Sequence, residues 1–284
     1  MSAQNRAALL SKTFKVLNKH FKSVAPPGDR SVLEHLMYAS CLQNSKHEHV
    51  DDVLAKLQES FYDWNEVRVT TRAELAEVMS VLSDPNDSAA RLKRTLHSVF
   101  ETYYSFDLEF LRKQNLAKSV KDLQALNGTT EFTIAYLTQN ALGGHSIPVN
   151  RGVLGLFVVL DVISQSEARK WRVPGLERAV SKSQGVEFAS LLHQFGVDFA
   201  NTPFSPRVRS LLLDIDPDAK ERLPKRTAKK ESPTKKGKPE RPRKDKKAEP
   251  KTETGKAKPI KKTSAAEKKK KKSPTKRLSR KKPR

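Results

Sequence analysis

Apolar positions in the first 220 residues recur at spacings of three and four, as in Leu9, Leu10, Phe14, Leu17 and Phe21, or Leu75, Val78, Met79 and Leu82. That is the period of one face of an α-helix, and it predicts further helices over 32–44, 50–60, 89–103, 117–126, 131–142, 151–163 and 185–201. Turn chemistry separates them: Ala25-Pro26-Pro27-Gly28-Asp29, Asp84-Pro85-Asn86-Asp87, Asn127-Gly128 and Gly143-Gly144. A short oxygen side chain ahead of a helix accepts one of its unpaired amides, so Asp87 or Ser88 is expected to cap the helix after Pro85. No run of alternating strands is present. The Val- and Ile-rich stretch 156–163 would pass alone for a buried strand; its helical surroundings make it a buried helix. The pattern specifies an all-α body over residues 1–219.

Charge divides the chain differently. The 284 residues carry a formal charge of +23, and residues 221–284 alone hold 29 basic and 7 acidic groups, or +22. This tail has 8 prolines and no aromatic residue, so it buries too little surface to offset its ordering entropy, and residues 220–284 are expected to be disordered. Ser232-Pro233-Thr234-Lys235-Lys236 and Ser273-Pro274-Thr275-Lys276-Arg277 repeat one unit. These units resemble the Ser-Pro-x-basic repeats of linker-histone tails, which implies DNA contacts through Lys235, Lys236, Lys276 and Arg277. A charge of this size attracts any polyanion by counterion release, without sequence information and with a steep salt dependence.

Cysteine use excludes much chemistry. Cys41 is the single cysteine, so there is no disulfide framework, no zinc ribbon and no four-thiolate cluster. The longest apolar stretch, 153–162, is too short to span a bilayer, and the N-terminus lacks the apolar core of a secretory signal. The expectation is a soluble intracellular protein with no membrane partner and no cofactor.

The informative segment is Leu126-Asn127-Gly128-Thr129-Thr130-Glu131-Phe132-Thr133, a hairpin inside the helical span 117–142. A tight turn ending at a helix N-terminus aims several backbone amides at one point, which suits a DNA phosphate. It is followed by Ile134-Ala135-Tyr136-Leu137, then Asn140-Ala141-Leu142-Gly143-Gly144 and Ile147-Pro148-Val149-Asn150-Arg151-Gly152-Val153. Here the chain resembles the helix-hairpin-helix base-excision DNA glycosylases of the endonuclease III-like superfamily, in which a Leu-Pro-Gly-Val-Gly hairpin precedes a Pro-Val-Asp segment. Ser40-Cys41-Leu42-Gln43-Asn44 is similar to the family's Leu-Ser-x-Gln segment, and Asp63-Trp64-Asn65-Glu66-Val67 with Glu74-Leu75-Ala76 resembles the start of its next helix. The resemblance covers about residues 31–216. It implies a two-lobed helical fold, double-stranded DNA as partner, hairpin contacts through Asn127, Gly128, Thr129, Thr130 and Glu131, and Gln43 as a wedge in the gap left by an extruded base.

The departures concern the chemistry. Carried over residue by residue, the family's catalytic aspartate falls on Asn150, which cannot accept a proton or supply negative charge, and the lysine nucleophile of the strand-cutting members falls on Phe132, which has no amine. The hairpin's proline becomes Asn127 and its second glycine Thr130. The four cluster thiols fall on Ala200, Arg207, Ser210 and Asp216, none of which can hold an iron–sulfur cluster, so the loop is expected to persist without it. The glutamate of the adenine-specific branch falls on Ala39. Glu131 and Asp161 are the nearest carboxylates in sequence that could replace the missing base; the helix dipole and a capping role also account for them. His47 and His49 are two apart on a helix and face different sides, which argues against a metal site. His145 is a loop histidine that could contact DNA, and Cys41 and Trp64 read as core.

Three functions fit. The first is a duplex-DNA-binding member of this superfamily, degenerate in catalysis and residing on DNA in the nucleoid or nucleus. The second is a monofunctional glycosylase that excises a labile damaged base without lyase activity. The third is a nucleoid-compacting protein whose body is a scaffold.

Overall fold

The computed structural model describes residues 3–224. The repeated tail units with Lys235, Lys236, Lys276 and Arg277 lie outside the described residues. In chain order the helices are α1 (Ala3–His20), α2 (Val32–Leu42), α3 (His47–Ser60), α4 (Trp64–Val69), α5 (Arg72–Val78), α6 (Pro85–Tyr103), α7 (Phe110–Lys113), α8 (Leu116–Ala125), α9 (Glu131–Asn140), α10 (Arg151–Val159), α11 (Gln165–Arg169), α12 (Leu176–Ala179), α13 (Lys182–Asn201) and α14 (Pro206–Ile215). A 3₁₀ turn, Pro217–Glu221, follows and crosses the expected 219/220 boundary. There is no strand among the described residues.

The periodic segments are helical where the apolar spacing places them, and their ends are set by local chemistry. Ser31, Thr71, Thr130 and Ser164 each close a capping box with the residue three positions on. The cap of α6 is Asp84, whose carboxylate accepts from the Asp87 amide at 3.1 Å, and not Asp87 or Ser88 as expected. Pro85 takes the first helical position, where its missing N–H would have had no partner, so the helix starts four residues upstream of the expected 89. The apolar stretch 156–163 is helical only to Val159. Asp161 then takes a left-handed φ of 56°, and the amides of Val162 and Ile163 both return to the Phe157 carbonyl. The stretch expected to be a cluster loop is occupied by α14, which Ser205 caps and which buries Val208, Leu211, Leu212 and Ile215.

Two apolar cores divide this body into two lobes. The first is built from α2–α9, with Leu36, Leu92, Leu96 and Leu137 in its centre. The second combines the N-terminal α1 with α10–α14; Leu10 and Leu17 pack there with Phe157, Phe188 and Phe195. The tightest crossing is α10 on α13. A Cβ on Gly152 would stand 1.9 Å from the Gly196 carbonyl oxygen, so only glycine lets the two backbones meet at this depth. Between the lobes, the ring of His193 from α13 reaches the Ser45 carbonyl after α2, and Asn201 Nδ2 donates to Ser83 Oγ at 3.3 Å.

Candidate nucleic-acid interface

The hairpin joins α8 to α9. Gly128 has a φ of 99°, and a Cβ there would lie 2.6 Å from Thr95 Oγ1 and 2.8 Å from the Thr95 amide, so the turn is pressed onto α6. The Asn127 amide donates to Ser98 Oγ at 2.9 Å, the Thr129 hydroxyl to the carbonyls of Leu123 and Leu126, and the Thr130 amide to Thr133 Oγ1 at 2.6 Å. The amides of Gly128, Glu131 and Phe132 have no partner among the described residues. Asn127 and Glu131 are exposed, while Gly128, Thr129 and Thr130 are half-buried. The same packing puts exposed Arg94 of α6 beside the turn, with its Cβ 3.1 Å from that same position. No pattern in the sequence connects Arg94 to the hairpin, because a one-turn offset along α6 decides which cation stands there.

Gln43 ends α2 with 7% exposure, and its Oε1 accepts from the Thr130 hydroxyl at 3.0 Å. It therefore braces the hairpin from behind in this state, where a helix-end glutamine would ordinarily be at the surface. His145, the other loop candidate, gives its Nε2 hydrogen to the carbonyls of Glu177 (2.8 Å) and Val180 (3.0 Å) and so ties its loop to α12.

Asn150 and Phe132 both meet one buried histidine, His193. Asn150 is the N-cap of α10 and is 1% exposed. Its Oδ1 accepts from the Val153 amide at 2.8 Å, and its Nδ2 lies 3.2 Å from His193 Nδ1. His193 Nε2 is 2.9 Å from the Ser45 carbonyl, which can only accept, so Nε2 carries the hydrogen and Nδ1 is the acceptor for Asn150. Burial, with the neighbouring His47, drives the His193 pKa down to about 3, so the ring is neutral and this hydrogen-bond direction is fixed. The chain runs Val153, Asn150, His193, Ser45, and it consumes every polar atom of the Asn150 carboxamide that faces the interior. Phe132 is fully buried, with its ring 5.5 Å from that of His193 and 6.4 Å from that of Tyr136.

These rings border a pocket of about 110 Å³ between the lobes, walled by Tyr38, His47, Phe132, Tyr136 and His193 and closed at one side by Ala25, Pro26 and Pro27. Its size approaches that of a cavity that accepts one benzene, about 150 Å³. His47 Nδ1 pairs with the Tyr38 hydroxyl at 2.9 Å, while His47 Nε2 and Gln139 Nε2 are buried without partners. Burial lowers the His47 pKa to about 4. One carboxylate lines this pocket, Asp51 of α3, held 2.9 Å from the Arg30 guanidinium. Glu131 and Asp161, the carboxylates singled out in the sequence, do not line it. Nothing in the sequence marks Asp51, which stands in the second turn of α3 and reaches the pocket rim, half-exposed, through the packing of α3 against α2.

The residues do not fit a metal or an iron–sulfur cluster. Ala200 ends in α13, Arg207 and Ser210 sit on α14, and Asp216 caps that helix and pairs with Arg222 at 2.6 Å. Arg207 lies over the Phe21 ring at 4.8 Å. Cys41 is fully buried, and burial pushes its thiol up to about 12, so it supplies no thiolate. No group of three or more metal-ligating side chains occurs among the described residues, and no described helix is long and apolar enough to cross a membrane.

No family model matches the chain. No curated protein matches it either. Solved structures do. The chain superposes on a non-covalent endonuclease III–DNA complex with a TM-score of 0.54 and 16% identity, over 78% of this chain and 99% of that one. A trapped endonuclease III–DNA covalent intermediate gives a TM-score of 0.52 and 16% identity, over 79% and 100%. A thermostable thymine-DNA glycosylase gives 0.50 and 19%, over 72% and 91%. With its two helical lobes, its hairpin between α8 and α9 and its pocket between the cores, the chain has the helix-hairpin-helix fold of the endonuclease III-like DNA glycosylases.

Proposed function

We propose that this protein binds duplex DNA through the hairpin 127–131 and does not break glycosidic bonds. The observation that carries the reading is the employment of Asn150. Its carboxamide is an N-cap on one side and a donor to a neutral, buried histidine on the other. A carboxylate there would set two acceptors against each other, so the hydrogen-bond network is built for the amide and not for the family's base. Phe132, on which the resemblance puts the nucleophilic amine, is a ring packed against Tyr136 and His193. The amides of Gly128, Glu131 and Phe132 and the Arg94 side chain offer phosphate contacts, and Gln43 holds the hairpin in place through Thr130. The tail, with Lys235, Lys236, Lys276 and Arg277, adds sequence-independent affinity and keeps the protein on DNA.

The test is direct. Excess full-length protein is incubated with duplexes carrying alkylated, oxidised, deaminated or abasic sites, treated with hot alkali and resolved by strand length. Retained binding with no product above the protein-free control is expected; product from any base lesion overturns the reading. One observation favours a second reading, a monofunctional glycosylase: the interlobe pocket persists, and Asp51 lines it. That reading requires product that disappears in Asp51→Asn or Asn150→Ala.

A further inference from the structure

The outer face of the second lobe holds a feature that the duplex reading does not use. A groove between α10, α11 and the end of the described chain has an apolar floor of Leu154 and Val158, with Arg151, Arg169, Arg222 and Trp171 around it. Arg222 is fixed by Val159 O at 2.8 Å and by Asp216, whereas Arg151 and Arg169 are exposed and without a partner among the described residues. No carboxylate lines the groove among the described residues.

Trp171 belongs to the run Arg169-Lys170-Trp171-Arg172 and has a φ of 54°, a conformation that a bulky side chain rarely adopts. The turn that imposes it is closed by the Trp171 amide on the Ala168 carbonyl (3.1 Å) and the Arg172 amide on the Glu167 carbonyl (3.0 Å). The result is an indole 39% exposed, while the protein's other tryptophan, Trp64, is 9% exposed. The left-handed residue is the ordinary C-terminal turn of α11, and it leaves a large aromatic ring partly exposed beside two guanidinium groups that have no partner among the described residues.

We infer that this groove is a binding site for single-stranded nucleic acid, with Trp171 stacking on a base and Arg151 and Arg169 contacting the flanking phosphates. The chemistry selects this occupant. An aromatic face and an apolar floor suit the flat face of a base, and arginines suit the phosphates on either side of it. In an intact duplex the base faces are covered by their neighbours and present nothing to an indole. The protein's own tail, at +22, is repelled by three arginines. An acidic peptide would satisfy the cations but leave the indole and the floor unused. Arg151, the first residue of α10, directly follows Asn150 and stands at the edge of the groove.

Fluorescence anisotropy with the full-length protein tests this at one fixed salt concentration, using labelled ten-nucleotide single strands, the same length of abasic strand, and a duplex. Base-bearing strands are expected to bind more tightly than abasic strands of equal charge. Trp171→Ala should lower affinity for the base-bearing strand roughly tenfold, the loss expected for one base–aromatic stack. The same variant should leave abasic-strand and duplex affinities unchanged, and Trp171→Phe should restore most of the loss. Arg169→Glu is the second variant, exposed and at a helix end, and should weaken both single strands. A Trp171→Ala protein that keeps the wild-type ratio of base-bearing to abasic affinity overturns the site, as does displacement of the strand by polyglutamate from wild type but not from Trp171→Ala. Because duplex binding is read in the same series, failure here leaves the hairpin reading standing.

Discussion

Replacing Asn150 with aspartate, the residue that the glycosylase resemblance would put there, is the sharpest probe of the site. The substitution keeps the N-cap, since an aspartate oxygen serves the Val153 amide as well as an asparagine oxygen does. It removes the donor to His193 Nδ1 and sets a buried carboxylate oxygen against a nitrogen lone pair at about the present 3.2 Å. An unpaired buried acceptor costs about 1–3 kcal/mol and an uncompensated buried charge more, so a loss of about 3 kcal/mol is expected at pH 8. The protein has one escape, which is to protonate His193. The wild-type ring is neutral because burial holds its pKa near 3; the new carboxylate would raise that pKa above its ordinary 6.5. A group whose folded pKa is raised stabilises below its unfolded pKa and loses that contribution as pH rises through the folded value. The deficit of Asn150→Asp should therefore shrink between pH 8 and pH 6. Asn150→Ala loses both the cap and the donor and should cost about 2–4 kcal/mol at either pH. Urea unfolding at the two pH values, with an NMR titration of His193, measures all of this. An Asn150→Asp protein as stable as wild type at pH 8, or a deficit that does not change with pH, would refute the hydrogen-bond directions assigned here.

Buried histidines make the stability of the wild-type protein depend on pH. His35 and His47 are held near 4 and His193 near 3, chiefly by burial, so each takes up a proton more readily unfolded than folded. Wild-type stability should therefore fall as pH drops below about 6.5, by roughly 2 kcal/mol per histidine at pH 5, and a denaturant midpoint independent of pH from 7 to 5 would contradict it. Gly128→Ala combines a φ of 99° with contacts of 2.6 and 2.8 Å to Thr95, and should cost about 2–4 kcal/mol in thermal unfolding and weaken duplex binding. Gly152→Ala would drive a methyl group into the Gly196 carbonyl and separate α10 from α13; soluble protein with wild-type melting would disprove that crossing. Truncation after Pro224, which spares the Arg222–Asp216 pair, should flatten the slope of log affinity against log salt by several units, about 0.9 for each phosphate released. An unchanged slope means that the tail does not touch DNA.

The fold was legible where helices are long enough to show a period. The nine periodic segments all correspond to helices, and the turn at Asn127-Gly128 sits where the sequence puts it, because a left-handed residue between two amphipathic runs leaves little choice. α4, α7, α11 and α12 are four to six residues long, too short for a repeat to register. α14 is ten residues long, yet the proline at its first position and its place in the expected cluster loop hid it. At the site, the identity of Asn150 and Phe132 was visible and their employment was not. Nothing near Asn150 in the chain announces His193, 43 residues on, or the Ser45 carbonyl beyond it. Asp51, Arg94 and Trp171 share that history: each gains its setting from a neighbour on another helix or from a backbone angle, and neither leaves a mark in composition.

The discontinuity of the second lobe has a consequence for biosynthesis. α1 is made long before its partners α12, α13 and α14, while the first lobe is assembled wholly from the chain between them. At about 5–20 residues per second, α1 waits on the order of 10–40 seconds for the helices that cover it. During that time Leu9, Leu10, Phe14 and Leu17 have no core to enter. The first lobe can be complete before the helices that cover α1 are made. A nascent chain of this protein thus presents a greasy leading helix tethered to a finished neighbour, and ribosome-bound chaperones acting on that helix should influence its yield more than any change within the first lobe.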